Sequence, residues 1–159
     1  MRFARAVKSA PSPVCRALRP GKQALKGEHR SKVECADPRR FTGSINLDTA
    51  LVGTVPDANR WDYGLGFRER RGQEVALWIE VHSASDGEVL VVLKKLRWLK
   101  TWLTTEAPAL LAMSRRERDA KAFFWLATEA SVSVGKNSRK AKLLQEAGLD
   151  LPRRKLVLP

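Results

Sequence analysis

The sequence predicts a mixed α/β domain of the α+β kind, on three observations. Two consecutive segments, 61–67 and 76–82, alternate large apolar residues with small or polar ones at the two-residue period of a strand. Residues 88–103 place Val89, Val92, Leu96, Leu99 and Leu103 in one continuous stripe at helical spacing. A further apolar segment, 123–134, reads as a strand following that helix. At 159 residues and 43% hydrophobic content, the chain is long enough to bury one core.

Taken in order, residues 1–40 hold eleven Lys or Arg against three acids, a net +8, which leaves +5 of the total +13 for residues 41–159. Pro11, Pro13, Pro20, Gly21, Gly27 and Pro38 interrupt this segment. It is therefore expected as a flexible basic arm, 1–40, in front of a single domain, 41–159. Such an arm attracts polyanions without sequence preference. Its acid-poor start is also superficially similar to an organelle transit peptide. Ser44 or Asn46 can cap a short helix over 47–52, and Val55 to Asn59 makes a turn. Arg68 to Gln73, containing Gly72, connects the two alternating strands as a hairpin. A polar break at 83–87 precedes the long helix. Ser114 with Glu117 forms a capping box for a helix over 114–121. Ser138 to Ala147 reads as a helix stopped by Gly148, and 154–158 as a last short strand. No run reaches the roughly 18 apolar residues that span a bilayer, so the expectation is a soluble, cytoplasmic protein with no membrane partner. Cys15 and Cys35 supply neither a zinc site nor a disulfide framework.

The hairpin carries the chemistry. Asp62, Gly64 and Gly66 share one face of the first strand, and Trp78, Glu80 and His82 share one face of the second. A turn centred near Arg71 sets Asp62 opposite Glu80, Gly64 opposite Trp78 and Arg60 opposite His82; a register slipped by two is also open. Carboxylates directly across a ladder repel, where opposite charges stabilise by about 0.2 to 1 kcal/mol, so a cation is expected between them. Mg2+ or Mn2+ held by Asp62 and Glu80 is one candidate, with the two glycines leaving room for water or a phosphate. Neutralisation by Arg60, His82 or a helix lysine, as a structural cluster, is the other. On the long helix Lys94 points away from the apolar stripe. Lys95 lies about 60° from the centre of the stripe, beside Trp98 and Trp102, and can reach the sheet. Arg60, Arg70 and Arg71 near the hairpin, and Lys136, Arg139 and Lys140 at the start of the last helix, are the candidate nucleic-acid contacts. The second group reads equally as a solvated helix face.

The order helix, Asp-bearing strand, Glu-x-basic strand, long helix, strand resembles the PD-(D/E)XK nuclease superfamily. The resemblance covers about residues 44–134 and implies a restriction-endonuclease-like mixed sheet with flanking helices. It implies a metal-dependent phosphodiesterase acting on DNA or RNA, in which Asp62 and Glu80 bind Mg2+ or Mn2+. His82 stands where the family has lysine, and Lys95 is similar to the helix lysine of members in which that residue has moved. Asp48 matches the extra helix acid of some branches. Only one strand is expected before the Glu-bearing one, where the family has two. The alternative is a nuclease-like module without catalysis that binds nucleic acid or a protein partner. The strings Arg60–Gly64 and Glu80–Ala84 also resemble those of small bacterial proteins, which implies no activity.

Overall fold

The computed structural model describes residues 1–114, 120–128 and 132–159. Its helices are α1 (Phe3–Lys8), α2 (Gly27–Arg30), α3 (Leu47–Leu51), α4 (Val89–Thr105), α5 (Pro108–Met113) and α6 (Arg139–Glu146). The strands are β1 (Val33–Cys35), β2 (Phe41–Asn46), β3 (Tyr63–Arg68), β4 (Glu74–His82), β5 (Phe123–Ala127) and β6 (Leu156–Leu158). Four of them form a sheet in the order β2-β3-β4-β5, antiparallel except for the parallel β4–β5 pair. β1 and β6 pair in parallel as a separate ribbon. The architecture is the α+β class expected, a mixed sheet flanked by helices.

Alternation along β3 and β4 serves two cores at once. Tyr63, Leu65, Phe67, Leu77, Ile79 and Val81 face a cluster completed by Leu25, Val33, Leu156 and Leu158. Ile45, Trp78 and Trp125 face the other way, beneath α1, α4 and α5. Tyr63 pairs with Ile79 and Gly64 with Trp78, the register that a turn near Arg71 requires. Trp61, outside β3, joins the helical cluster rather than continuing the Tyr63 face. The α4 stripe is buried at Val89, Val92, Leu96, Leu99 and Leu103. Asn46, not Ser44, caps α3 by accepting from the Thr49 N–H (2.9 Å), and Ser138 caps α6 by accepting from that of Ala141 (3.1 Å).

Residues 1–40 are not a flexible arm. Phe3, Ala6, Val7 and Ala10, spaced as one helical face, are buried against the sheet. The segment is tied down further along. The Phe3 N–H donates to Glu74 Oε2 (2.9 Å), Arg19 and Ser44 exchange two backbone hydrogen bonds (2.9 Å each), and Lys22 donates to the Val33 carbonyl (2.7 Å). The glycine face expected to leave space is filled by this segment and by its neighbours. A Cβ on Gly66 would lie 2.5 Å from the Phe3 ring, and one on Gly64 would lie 2.8 Å from Trp78.

Within the four-stranded sheet two strands, β2 and β3, precede β4, where the sequence suggests one. The small residues of β2 hide it from an alternation test. Gly43 lies under Leu18 and Phe3, and Ser44 is buried with its hydroxyl accepting from the Ala24 N–H (3.0 Å). β5 ends at Ala127, earlier than the expected 134, and residues 129–131 of that segment lie outside the described residues. Residues 115–119 of the expected helix 114–121 lie outside them too. Ser114 instead ends α5, an unanticipated helix opened by Pro108, and accepts a hydrogen bond from the Trp78 indole (2.7 Å). Among the described residues, no helix is long and apolar enough to cross a membrane.

Candidate functional site

Asp62 sits one residue ahead of β3, at the position that continues its ladder opposite Glu80. Each carboxylate accepts a backbone N–H from the neighbouring strand. Asp62 N donates to Glu80 Oε2 (3.1 Å), and Val81 N donates to Asp62 Oδ2 (3.0 Å). α4 crosses this face and delivers Lys95, whose ammonium forms an ion pair with Glu80 Oε1 and lies 3.9 Å from Asp62 Oδ1. His82, two residues along β4 from Glu80, places Nδ1 3.6 Å from Glu80 Oε1 and Nε2 2.8 Å from Glu88 Oε2. The result is a chain of alternating charge: Asp62, Lys95, Glu80, His82, Glu88. Glu80 is wholly buried, and the side chains of Asp62 and Lys95 retain 19% and 17% of their exposure.

Burial controls the electrostatics. It pushes the Asp62 carboxyl up to about 7, helped by the Glu80 charge and opposed by Lys95 and the Val81 N–H. His82 is raised above its ordinary value chiefly by its hydrogen bond to Glu80, and further by Glu88, against the cost of burial. The two flanking carboxylates favour the imidazolium over the neutral ring.

The donor set, as arranged, suits an ammonium better than a hard divalent ion. Mg2+ takes oxygens at about 2.0 to 2.1 Å and keeps several waters. Here Glu80 Oε1 faces Lys95 and His82, Glu80 Oε2 and Asp62 Oδ2 accept backbone N–H groups, and Lys95 stands between the carboxylates. Among the described residues, no group of three or more His, Cys, Asp or Glu side chains is placed to hold a metal ion. Binding of Mg2+ or Mn2+ by Asp62 and Glu80 would require Lys95 to leave.

Asp62, Glu80, His82 and Lys95 are thus brought together as the sequence suggests, whereas the proposed nucleic-acid contacts are dispersed. Arg60 is not a surface contact. Its side chain is only 12% exposed, pairs with Asp48 (2.9 Å) and donates to the carbonyls of Val55 (2.7 Å) and Pro56 (2.8 Å), closing the loop between α3 and β3. The same pair absorbs Asp48. Arg70 and Arg71 are exposed at the β3–β4 turn, where Gly72 supplies a φ of +90°. Lys136 and Arg139 are exposed near the start of α6, and Lys140 pairs with Asp86 (3.0 Å), beyond the far end of β4. Nine residues of β4 separate these groups, about 25 Å at strand rise. Glu88 was missed by sequence reasoning, its only signal being its place just before α4. No family model, curated protein or solved structure matches the chain.

Proposed function

We propose that this chain is a nucleic-acid-binding module on a nuclease-like α/β scaffold, in which the acidic pair serves structure rather than hydrolysis. The position of Lys95 carries the reading: a cation from the protein itself stands between Asp62 and Glu80, where the nuclease chemistry would need a metal. Glu80 has no exposed surface through which a phosphate or its metal would reach it. The scaffold is supported by the two strands ahead of β4 and by the parallel β5 beside it. Binding is supported by the net charge of +13, because each phosphate neutralised by a Lys or Arg releases condensed counterions.

A second reading is hydrolysis by a divalent ion that displaces Lys95, favoured by the convergence of Asp62, Glu80 and Lys95 on one point. Incubating single-stranded, duplex and structured DNA and RNA with the protein and Mg2+ or Mn2+ separates the two. Retention on a native gel without new products is the expected result. Cleavage that disappears in both Asp62→Ala and Glu80→Ala would replace the binding reading with the enzymatic one.

A further inference from the structure

We infer that the sugar–phosphate backbone docks on the end of the sheet formed by the β3–β4 hairpin, remote from the acidic cluster; this rests on the nucleic-acid-binding reading above. Two concavities flank the hairpin and share Arg68 and Gly72. One, of about 450 Å3, is lined by Arg39, Arg40 and Arg70 together with Asp37 and Glu69; the other, of about 620 Å3, by Arg2 and Arg5 together with Glu74. Three segments far apart in sequence thus send arginines to one end of the fold, which is possible only because residues 1–40 pack onto the sheet.

The surface is partly preorganised. Arg68 pairs with Glu74 (3.3 Å), whose side chain is 8% exposed and also accepts from the Phe3 N–H (2.9 Å). Arg40 donates to the Arg68 carbonyl (2.8 Å) and lies with its guanidinium 4.5 Å from the centre of the Phe67 ring. Arg39 is held by Asp37 (2.9 Å). Among the described residues, no ion pair engages Arg2, Arg5 or Arg70, and all three are exposed. Guanidinium forks match phosphate oxygens in pairs, and fixed guanidinium groups beside free ones give a surface on which a linear polyanion replaces several counterions at once. Arginine forks on phosphate oxygens fix position without reading sequence, so the contact inferred is to the backbone of DNA or RNA.

The test uses the full chain and a short labelled duplex, as DNA and as RNA of the same sequence, with affinity measured by anisotropy across a salt series. The triple variant Arg2→Ala, Arg5→Ala, Arg70→Ala should flatten the slope of log K against log salt by about three, roughly one per phosphate contact removed. Arg70→Ala alone should flatten it by about one, which keeps the test independent of any disturbance to α1. A control triple, Lys136→Ala, Arg139→Ala, Lys142→Ala, should leave the slope unchanged. If only the control flattens the slope, nucleic-acid binding stands and the hairpin surface is refuted. If the wild-type protein binds neither duplex, the functional reading itself fails and the surface with it. Polyglutamate competing as well as the duplexes would overturn the assignment to phosphates.

Discussion

Replacing Lys95 with methionine keeps the stem length and its packing while removing the ammonium between Asp62 and Glu80. Glu80 has no exposed surface and Lys95 little, so the change leaves a buried carboxylate without its nearest cation. Deleting one partner of such a pair costs about 3 to 5 kcal/mol. His82, 3.6 Å from the same Glu80 oxygen, and the Asp62 N–H, 3.1 Å from the other, soften the loss towards about 3 kcal/mol. For a chain of this size each kcal/mol moves the melting temperature by about 2 to 4 °C, so a fall of about 6 to 12 °C is expected. Combining Lys95→Met with Glu80→Gln removes both charges and should recover most of the loss, giving a coupling of about 2 kcal/mol in a double-mutant cycle. Urea unfolding with linear extrapolation measures each corner of that cycle. A Lys95→Met protein within about 1 kcal/mol of wild type would refute the assignment of Lys95 as the built-in cation. So would a wild-type melting temperature that climbs on adding Mg2+ or Mn2+, because an ion that binds only the folded state raises its stability.

The cluster also makes stability depend on pH. Asp62 is raised from 3.8 to about 7, so its folded state favours the proton; that contribution is complete below about pH 4 and is lost as pH rises through about 7. His82, also raised, acts with the same sign as pH climbs through its folded value. The stability of wild type relative to Asp62→Asn should therefore fall between about pH 4 and 7, as read by urea unfolding at several pH values; a difference that rises instead would contradict the stated protonation. Phe3→Ala should cost about 3 to 5 kcal/mol, because the ring is fully buried over Gly66, whereas an unaltered melting temperature would mean that α1 does not pack. Arg60→Ala breaks three hydrogen bonds and should lower stability by about 1 to 3 kcal/mol in denaturant titrations while leaving nucleic-acid affinity at its wild-type value.

Legibility followed periodicity. The β3–β4 pairing, α4, α6 and the last strand were readable because apolar residues repeat at two or near 3.6 and because Asn46, Ser138, Gly72 and Gly148 mark ends and turns. The same logic put Asp62 opposite Glu80 and turned Lys95, not Lys94, towards the sheet. β2 was missed because burial against Phe3 and Leu18 demands glycine and serine rather than large apolar residues. The packing of residues 1–40 was missed for a related reason. Prolines, glycines and scattered charge outweighed a short stripe at Phe3, Ala6, Val7 and Ala10, and the groove receiving Phe3 exists only once β2 and β3 are paired. The short-range spacing showed which acids meet, but not that the glycine face beside them was already occupied.

Separation of the two charged regions explains why they coexist. From Asp62 to Arg68 the chain advances six strand residues, about 20 Å, against a screening length of about 8 Å at physiological ionic strength. The arginines at the hairpin therefore neither neutralise Asp62 and Glu80 nor lose their own attraction for a polyanion to them. Each region must settle its charge locally. At the far end of β4 the cation comes from α4, with His82 beside it, and Glu80 at the centre of the network is closed to solvent. At the hairpin, Glu74 and Asp37 orient Arg68 and Arg39, while Arg2, Arg5 and Arg70 remain exposed. A catalytic phosphodiesterase would instead need its basic substrate contacts within reach of the acids. Of the candidate nucleic-acid contacts, Arg60 and the α6 group lie at that end, where Arg60 is engaged by Asp48 and Lys140 by Asp86. The arrangement of charge along one sheet thus favours a phosphate-binding end opposed to a self-neutralised acidic end.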